Sequence, residues 1–252
     1  MAQLASIYRY PVKGLTPERL SSAELRAGEV INGDRLYAVE NGPSGFDPAA
    51  PQWMPKAKFL CLMRNARLAA LSARYDDASA TLTIEKNGEL LAAGDLKTPE
   101  GRRAIENFFE TYMSGEKRGD LRILQAAGHS FSDLAKKVVS IINLDTVEDF
   151  SRALGQAVHP LRFRANLYLA DLPAWSELDL IGKTLAIGGA RLKILKCTER
   201  CAATEVNPDT ALRDIDIPEI LWKRRGNIDF GIYAEVIAGG RIAESDPVEI
   251  PA

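Results

Sequence analysis

The sequence predicts a mainly β fold with a few helices, an α+β chain in two β-rich halves. Three observations lead there. Short apolar runs recur at even spacing in the second half, parted by Gly188-Gly189 and Gly239-Gly240. Asn87-Gly88 divides two strand-like runs in the first half, and few stretches carry helix signals. Evenly spaced strands with glycine turns point to a barrel.

In chain order, Leu4 to Tyr10 reads as an opening strand closed by Pro11. Asn32-Gly33-Asp34 is a turn, and Leu36 to Val39 an apolar strand. The run Gly42-Pro43-Ser44-Gly45-Phe46-Asp47-Pro48, prolonged by Pro51 and Pro55, is a surface loop of about a dozen residues, a length that often serves function. Ala80 to Lys86 and Glu89 to Ala93 form a hairpin, because Asn-Gly tolerates the positive φ of a tight turn. Thr98 caps a helix with Pro99 at its first position, and Ala104, Ile105, Phe108, Phe109 and Tyr112 line one face. The polar stretch Ser114 to Asp120 is a candidate domain junction.

Leu121 to Leu124 opens the second half as a strand. A second helix is expected with Asp145 as cap, Glu148 completing a capping box, and Gly155 as the stop. Val147, Phe150 and Leu154 would form its buried face. Arg162 to Leu169, Thr184 to Ile187, Ala190 to Leu195, Phe230 to Ala238 and Arg241 to Glu244 then read as strands.

The 252 residues, 46% hydrophobic and 26% charged, suffice for one large domain or two modest ones. A net charge of -2 gives no global positive field to hold nucleic acid or an anionic membrane, so an anion site would have to be local. No apolar run is long enough to span a bilayer, roughly 18 residues or more. Three cysteines without an export signal are expected to be reduced thiols in a cytoplasm.

Cys197 and Cys201 stand four apart with no second pair and no nearby histidine, a poor zinc site and too wide for a Cys-x-x-Cys redox pair. One could be core and the other an incidental thiol. Against that, Arg200 beside Cys201 would stabilise a thiolate, a soft metal ligand. If Arg162 to Asn166 is a strand, Arg162, Arg164 and Asn166 share one face and suit a phosphate or a polar ring. The other reading is a charged edge strand that blocks aggregation. Lys13 and Arg35, each beside a turn, read singly as solvated charges. His129 and His159 read as structural, and Asp214 and Asp216 as solvent-facing.

Taken together, these segments resemble the MOSC family, named for the C-terminal domain of molybdenum cofactor sulfurase. The likeness is nearest to bacterial relatives of the mitochondrial amidoxime-reducing component and covers nearly the whole chain. It is carried by Tyr8-Arg9-Tyr10-Pro11-Val12-Lys13-Gly14 with Gly33-Asp34-Arg35, then His129-Ser130-Phe131-Ser132-Asp133 and Arg162 to Asn166. Pro173-Ala174-Trp175, Ile181-Gly182-Lys183, Arg200-Cys201, Val206 to Thr210 and Phe230-Gly231-Ile232-Tyr233 complete it.

The resemblance implies an N-terminal MOSC-associated β-rich domain, residues 1–115, packed on a MOSC β-barrel domain, residues 120–252. It implies a molybdenum cofactor, a molybdopterin carrying Mo, with Cys201 as the metal's ligand and the catalytic residue. Lys13, Arg35, Arg162, Arg164, Asn166 and Arg200 would cradle the pterin and its phosphate, and Tyr233 would line the pocket. From the Asn143 to Thr146 region, Thr146 would add a hydroxyl. Gly14 stands where serine is usual, Asn207 where aspartate is, and Ser245-Asp246 where glycine-aspartate is common.

The implied activity is an oxidoreductase reducing small N-hydroxylated compounds. No ferredoxin-like extension with cluster cysteines follows, so a separate iron–sulfur or flavin electron donor is expected. The other function is a non-catalytic carrier of the cofactor or of persulfide sulfur on Cys201.

Overall fold

The computed structural model describes residues 1–250. The first half supplies β1 (Gln3–Arg9), β2 (Glu18–Leu20), β3 (Ser22–Leu25), β4 (Ala38–Asn41), β5 (Ser72–Asp76), β6 (Thr81–Lys86), β7 (Glu89–Asp95) and α1 (Pro99–Tyr112). The second supplies β8 (Leu121–Leu124), β9 (Val139–Asn143), α2 (Leu144–Leu154), β10 (Leu167–Ala170), β11 (Thr184–Ile187), β12 (Ala190–Glu199), α3 (Ile217–Arg225), β13 (Asp229–Ala238), β14 (Gly240–Ala243) and β15 (Val248–Glu249). The fold is mainly β, as the turn chemistry predicts.

An eight-stranded sheet runs β15-β11-β12-β13-β9-β10-β1-β2, antiparallel except for the β9–β10 pair. It curls until its ends meet. Gln3 bridges Pro247, Leu4 N donates to Asp246 O at 2.9 Å, and Val248 N donates to Ala2 O at 2.8 Å. The closed face holds alternate strand residues, among them Leu4, Ile7, Ile141, Leu167, Leu192, Ile194, Ile232 and Val236. Burial of such side chains contributes about 1.5–3 kcal/mol each, which drives the curl.

A second core joins the β5-β6-β7 sheet, α1 and the β4–β8 pair. Thr98 Oγ1 accepts from Gly101 N at 3.1 Å with Pro99 in the first turn, so α1 begins as expected, and Ile105 and Phe109 are its buried residues. Ala104 instead faces solvent. Strand pairing crosses between the stretches 1–115 and 120–252 three times: β1 on β10, β3 on β14, and β4 on β8.

Local readings failed where a turn intervened. Arg162 to Asn166 is not strand. His159 Nδ1 accepts from Leu161 N at 3.1 Å, Pro160 fixes the next φ, and Pro160–Phe163 forms a 3-10 turn. Arg164 follows with φ 51°, and β10 begins only at Leu167. Helix α2 is capped by Asn143, whose Oδ1 accepts from Asp145 N at 3.0 Å, rather than by Asp145 itself. Gly155, at φ 70°, stops it as expected. Strands β2, β3, β5, β9 and β15 and helix α3 were not foreseen.

Candidate functional site

A cavity of about 220 Å³ lies between the curled sheet and the N-terminal segments. Such a volume holds several waters, and so suits an organic ligand better than a lone ion. Seven cations and three carboxylates line it, a strongly positive lining in an acidic chain.

Cys201 sits just past the end of β12, where its carbonyl oxygen accepts from Thr204 N at 3.0 Å and Thr204 Oγ1 at 2.9 Å. Its Sγ lies 3.2 Å from Lys56 Nζ. Lys56 lies 3.4 Å from Asp133 Oδ2, while Asp133 Oδ1 takes Lys13 Nζ at 2.6 Å. Lys13 Nζ also donates to Phe131 O at 2.8 Å. Burial works against the Lys56 charge, but Asp133 and Cys201 outweigh it and raise the ammonium above the lysine value. Burial would likewise raise Asp133, yet Lys13 and Lys56 hold it well below the carboxylate range.

Arg35 and Arg164 both adopt φ 51°, and their guanidiniums stand 4.4 Å and 4.3 Å from the Tyr10 ring centroid. Arg35 Nη1 meets Asp34 Oδ2 at 2.5 Å and Arg35 Nη2 donates to Arg164 O at 3.1 Å. Arg164 Nη2 donates to Leu15 O at 2.9 Å. Desolvation pushes the Tyr10 phenol up to about 12, so it stays neutral under both cations.

Arg200 is buried. Its Nε donates to Phe230 O at 2.7 Å and its Nη1 to Phe163 O at 3.0 Å. Arg162 donates to Glu205 O at 2.8 Å and pairs with Asp214 at 2.5 Å. Three buried donors in this lining have no partner: Arg162 Nε, Thr198 Oγ1 and Arg200 Nη2. Buried polar groups are rarely left so. Gly231 keeps space for Arg200. Its φ is +78°, and a Cβ there would stand 2.5 Å from Ile141 O and 3.1 Å from Arg200 Nη2.

A family model, the MOSC N-terminal beta barrel domain, matches residues 1–137, more than half of the chain, and a second, the MOSC domain, matches residues 126–249. The chain belongs to the MOSC family. Among solved structures it is similar to the YuaD protein from Bacillus subtilis, at 12% identity over 99% of this chain and 94% of that one, with a TM-score of 0.43. It is also similar to YiiM from Geobacillus stearothermophilus (16% identity, 45% of this chain, 54% of that chain, TM-score 0.36). YiiM from Escherichia coli is matched at 19% identity over 45% of this chain and 54% of that one, with a TM-score of 0.34. The chain thus spans about half the length of the YiiM proteins it matches. No curated protein matches it.

In this MOSC chain the cavity gathers Lys13, Arg35, Arg162, Arg164, Asn166, Arg200, Cys201 and Tyr233, eight of the residues singled out in the sequence. Thr146 is not among them. It is fully buried in the first turn of α2, where its Oγ1 meets Glu177 Oε2 at 2.9 Å and accepts from Trp175 N at 2.7 Å. The fold spends that hydroxyl elsewhere. Asn166 is also occupied: its Oδ1 accepts from Ser140 Oγ at 2.9 Å and its Nδ2 donates to Tyr8 O at 3.2 Å, tying the residue before β10 to β9 and β1.

Gly14, which stands where serine is usual, has a backbone reason. Its φ is +85°, and a Cβ would stand 3.0 Å from Leu60 O. Asp214 is not simply solvent-facing, since it pairs with Arg162, while Asp216 caps α3. Neither histidine lines this cavity. His159 caps a turn, and His129 packs on Phe46 and Phe131. Lys56, Asp133, Lys196 and Thr198 line the cavity but were not singled out. Asp133 lay inside a segment already quoted, Thr198 lay between the two cysteines, and Lys56 lay just past the proline-rich loop.

Proposed function

We propose that this protein binds the molybdenum cofactor and reduces N-hydroxylated compounds with electrons from a separate donor. The observation that supports this best is a cation-lined cavity that contains Cys201, three of whose lining residues, Arg162, Thr198 and Arg200, each keep a buried polar atom without a partner among the described residues. They call for an anionic, acceptor-rich ligand beside a thiol. The donor set fits the pterin phosphate and its metal. Among the described residues there is no cluster of three His, Cys, Asp or Glu for a bare ion. A single thiol among cations suits a metal that arrives already held by its own organic ligand.

In this reading Cys201 would ligate the metal, and Lys13, Arg35, Arg162, Arg164 and Arg200 would hold the pterin and phosphate. The cofactor, when bound, supplies the two-electron oxygen-transfer chemistry. The chain orients and shields. Arg200, clamped by two backbone carbonyls, presents Nη2 at a fixed point, so no reorganisation is needed on binding. Lys56 keeps a proton on Nζ at the solvent side of the cavity, where its side chain is 29% exposed. The balanced reaction is R–NH–OH plus two electrons and two protons to R–NH2 and water.

The test is metal analysis of protein made in cells with intact cofactor synthesis, together with hydroxylamine reduction driven by dithionite-reduced viologen. About one molybdenum per chain with turnover is expected. One observation favours a second reading, a sulfur carrier. Lys56 Nζ, 3.2 Å from Cys201 Sγ, would equally stabilise a persulfide anion. A labile persulfide on molybdenum-free protein selects it.

A further inference from the structure

Residues 48–75 contain no aspartate or glutamate, yet carry Lys56, Lys58, Arg64, Arg67 and Arg74. This acid-free stretch borders the cavity, which Lys56, Cys61, Leu62 and Met63 line. The cavity opens on the same side, because Lys56 and Asp133 are 29% and 42% exposed. The fastenings of the stretch add two cations, Arg118 and an Arg213 that is paired with Glu205 at 3.1 Å, and one carboxylate, Glu116, which accepts from Asn65 Nδ2 at 3.0 Å. Arg118 Nη2 donates to Ala57 O, and Arg213 Nη2 donates to Leu62 O and Met63 O at 2.9 Å each. Lys58 and Arg64 have no ion-pair partner among the described residues. Two large apolar side chains are exposed on the same segments, Trp53 within the stretch at 43% and Leu212, next to Arg213 in the chain, at 65%. Either alone would be ordinary. Tryptophan and arginine next to unpaired cations make the usual anchor of a protein interface.

We propose that this face, residues 51–67 with Arg118 and Arg213, docks a carboxylate-rich, one-electron carrier protein. The inference rests on the reductase reading, in which the chain must receive two electrons per turnover from outside. Charge complementarity selects the occupant. Uncompensated Lys58 and Arg64 repel a basic partner and steer an acidic one, while Trp53 and Leu212 supply the apolar contact. Docking here puts the donor's redox centre against the open side of the cavity that holds Cys201. Two encounters, each delivering one electron, together with two protons from water, complete the reduction of R–NH–OH to R–NH2 and water.

The experiment uses the molybdenum-loaded protein and a plant-type [2Fe–2S] ferredoxin, a strongly acidic probe. Lys58→Glu with Arg64→Glu is compared with the remote pair Arg103→Glu with Lys223→Glu, none of which lines the cavity. The Lys58/Arg64 variant is expected to raise the KM for reduced ferredoxin roughly tenfold at low salt, to leave viologen-driven turnover intact, and to weaken ferredoxin binding in calorimetry. An equal effect from the remote pair, or none from either, overturns the proposal. So does a rise in the hydroxylamine KM under viologen, which would assign the face to substrate instead. If viologen drives no reduction in the parent protein, the reductase reading fails. Calorimetry then still decides the surface: binding lost only in the Lys58/Arg64 variant supports it, and equal or absent binding rejects it.

Discussion

Strand β9 feeds two buried polar clusters that look alike in composition and differ in kind. Near its start, Ser140 joins Asn166 at the wall of the cation-lined cavity. At its end, Asn143 donates to Glu177 Oε2 at 3.1 Å, beside Thr146. In the first region the unpartnered atoms belong to residues that line open volume, Arg162, Thr198 and Arg200. In the second, the unpartnered atom is Glu177 Oε1, an acceptor away from that cavity. A buried polar residue marks a binding site only where space adjoins it. The first region is built to be completed by a ligand, and the second to hold α2 and the segment around Trp175 in place.

That contrast is broken most severely at Cys201. Cys201→Ser is expected to reduce molybdenum-dependent turnover to background, while Cys197→Ser and Cys61→Ser retain it. Cys197 pairs across to Ile232 in the sheet, and Cys61 is a small buried residue of the neighbouring segment. Metal content and turnover of the three variants decide the matter, and full activity in Cys201→Ser would reject the assignment.

The cations should come next. Arg164→Ala removes one charge-assisted contact, about 1.5–3 kcal/mol, so cofactor affinity should fall roughly ten- to hundredfold. Its melting temperature should move little. Burial and the nearby Arg35 already disfavour the Arg164 charge and lower its pKa, and removing the side chain relieves both. Arg200→Ala should lose affinity and stability together, because it strips the donor from two buried carbonyls. Molybdenum content and melting temperature, measured side by side, separate the two arginines.

What the sequence made legible follows the range of the interaction. Thr98-Pro99 and Asn87-Gly88 act over a few residues, so α1 and the β6–β7 hairpin were readable. Arg162 and Arg164 were correctly grouped, but on the wrong geometry. They converge through a 3-10 turn and a left-handed residue, not along a strand face. Lys56 was invisible because its partner, Cys201, lies 145 residues away. Closure of the sheet, where Gln3 meets Pro247, is likewise a long-range event that no local pattern announces. Thr146 failed for the opposite reason. Its position in the family pattern was plausible, but only the fold shows its hydroxyl facing Glu177.

Thr146→Ala sharpens the comparison from the second region. It should leave molybdenum content unchanged and lower stability by about 1–3 kcal/mol, since Trp175 N loses its acceptor and Glu177 loses a donor. A fall in metal content without a fall in melting temperature would return Thr146 to the site.

The smallest effect should be a pH dependence, and it too belongs to the second region. Burial raises the Glu177 carboxyl above the usual glutamate value, although hydrogen bonds from Asn143 and Thr146 oppose the shift. The folded chain therefore holds this proton more tightly than the unfolded chain does. As pH rises past the ordinary glutamate range, the unfolded chain ionises first, and stability declines until the folded value is passed. Asp133, Asp214 and Glu40 are shifted down, so their contributions run the other way and fade in acid. Glu177→Gln isolates the one term, because those three carboxylates are common to parent and variant. The substituted amide cannot ionise, yet its carbonyl oxygen can still accept from Asn143 and Thr146. The melting temperature of the variant should thus gain on the parent's as pH is raised from about 5 to 8, with no change in metal content at any pH. A constant offset between the two melting curves would show that Glu177 carries no excess proton in the folded chain. A shift in metal content would place it in the cavity's chemistry after all.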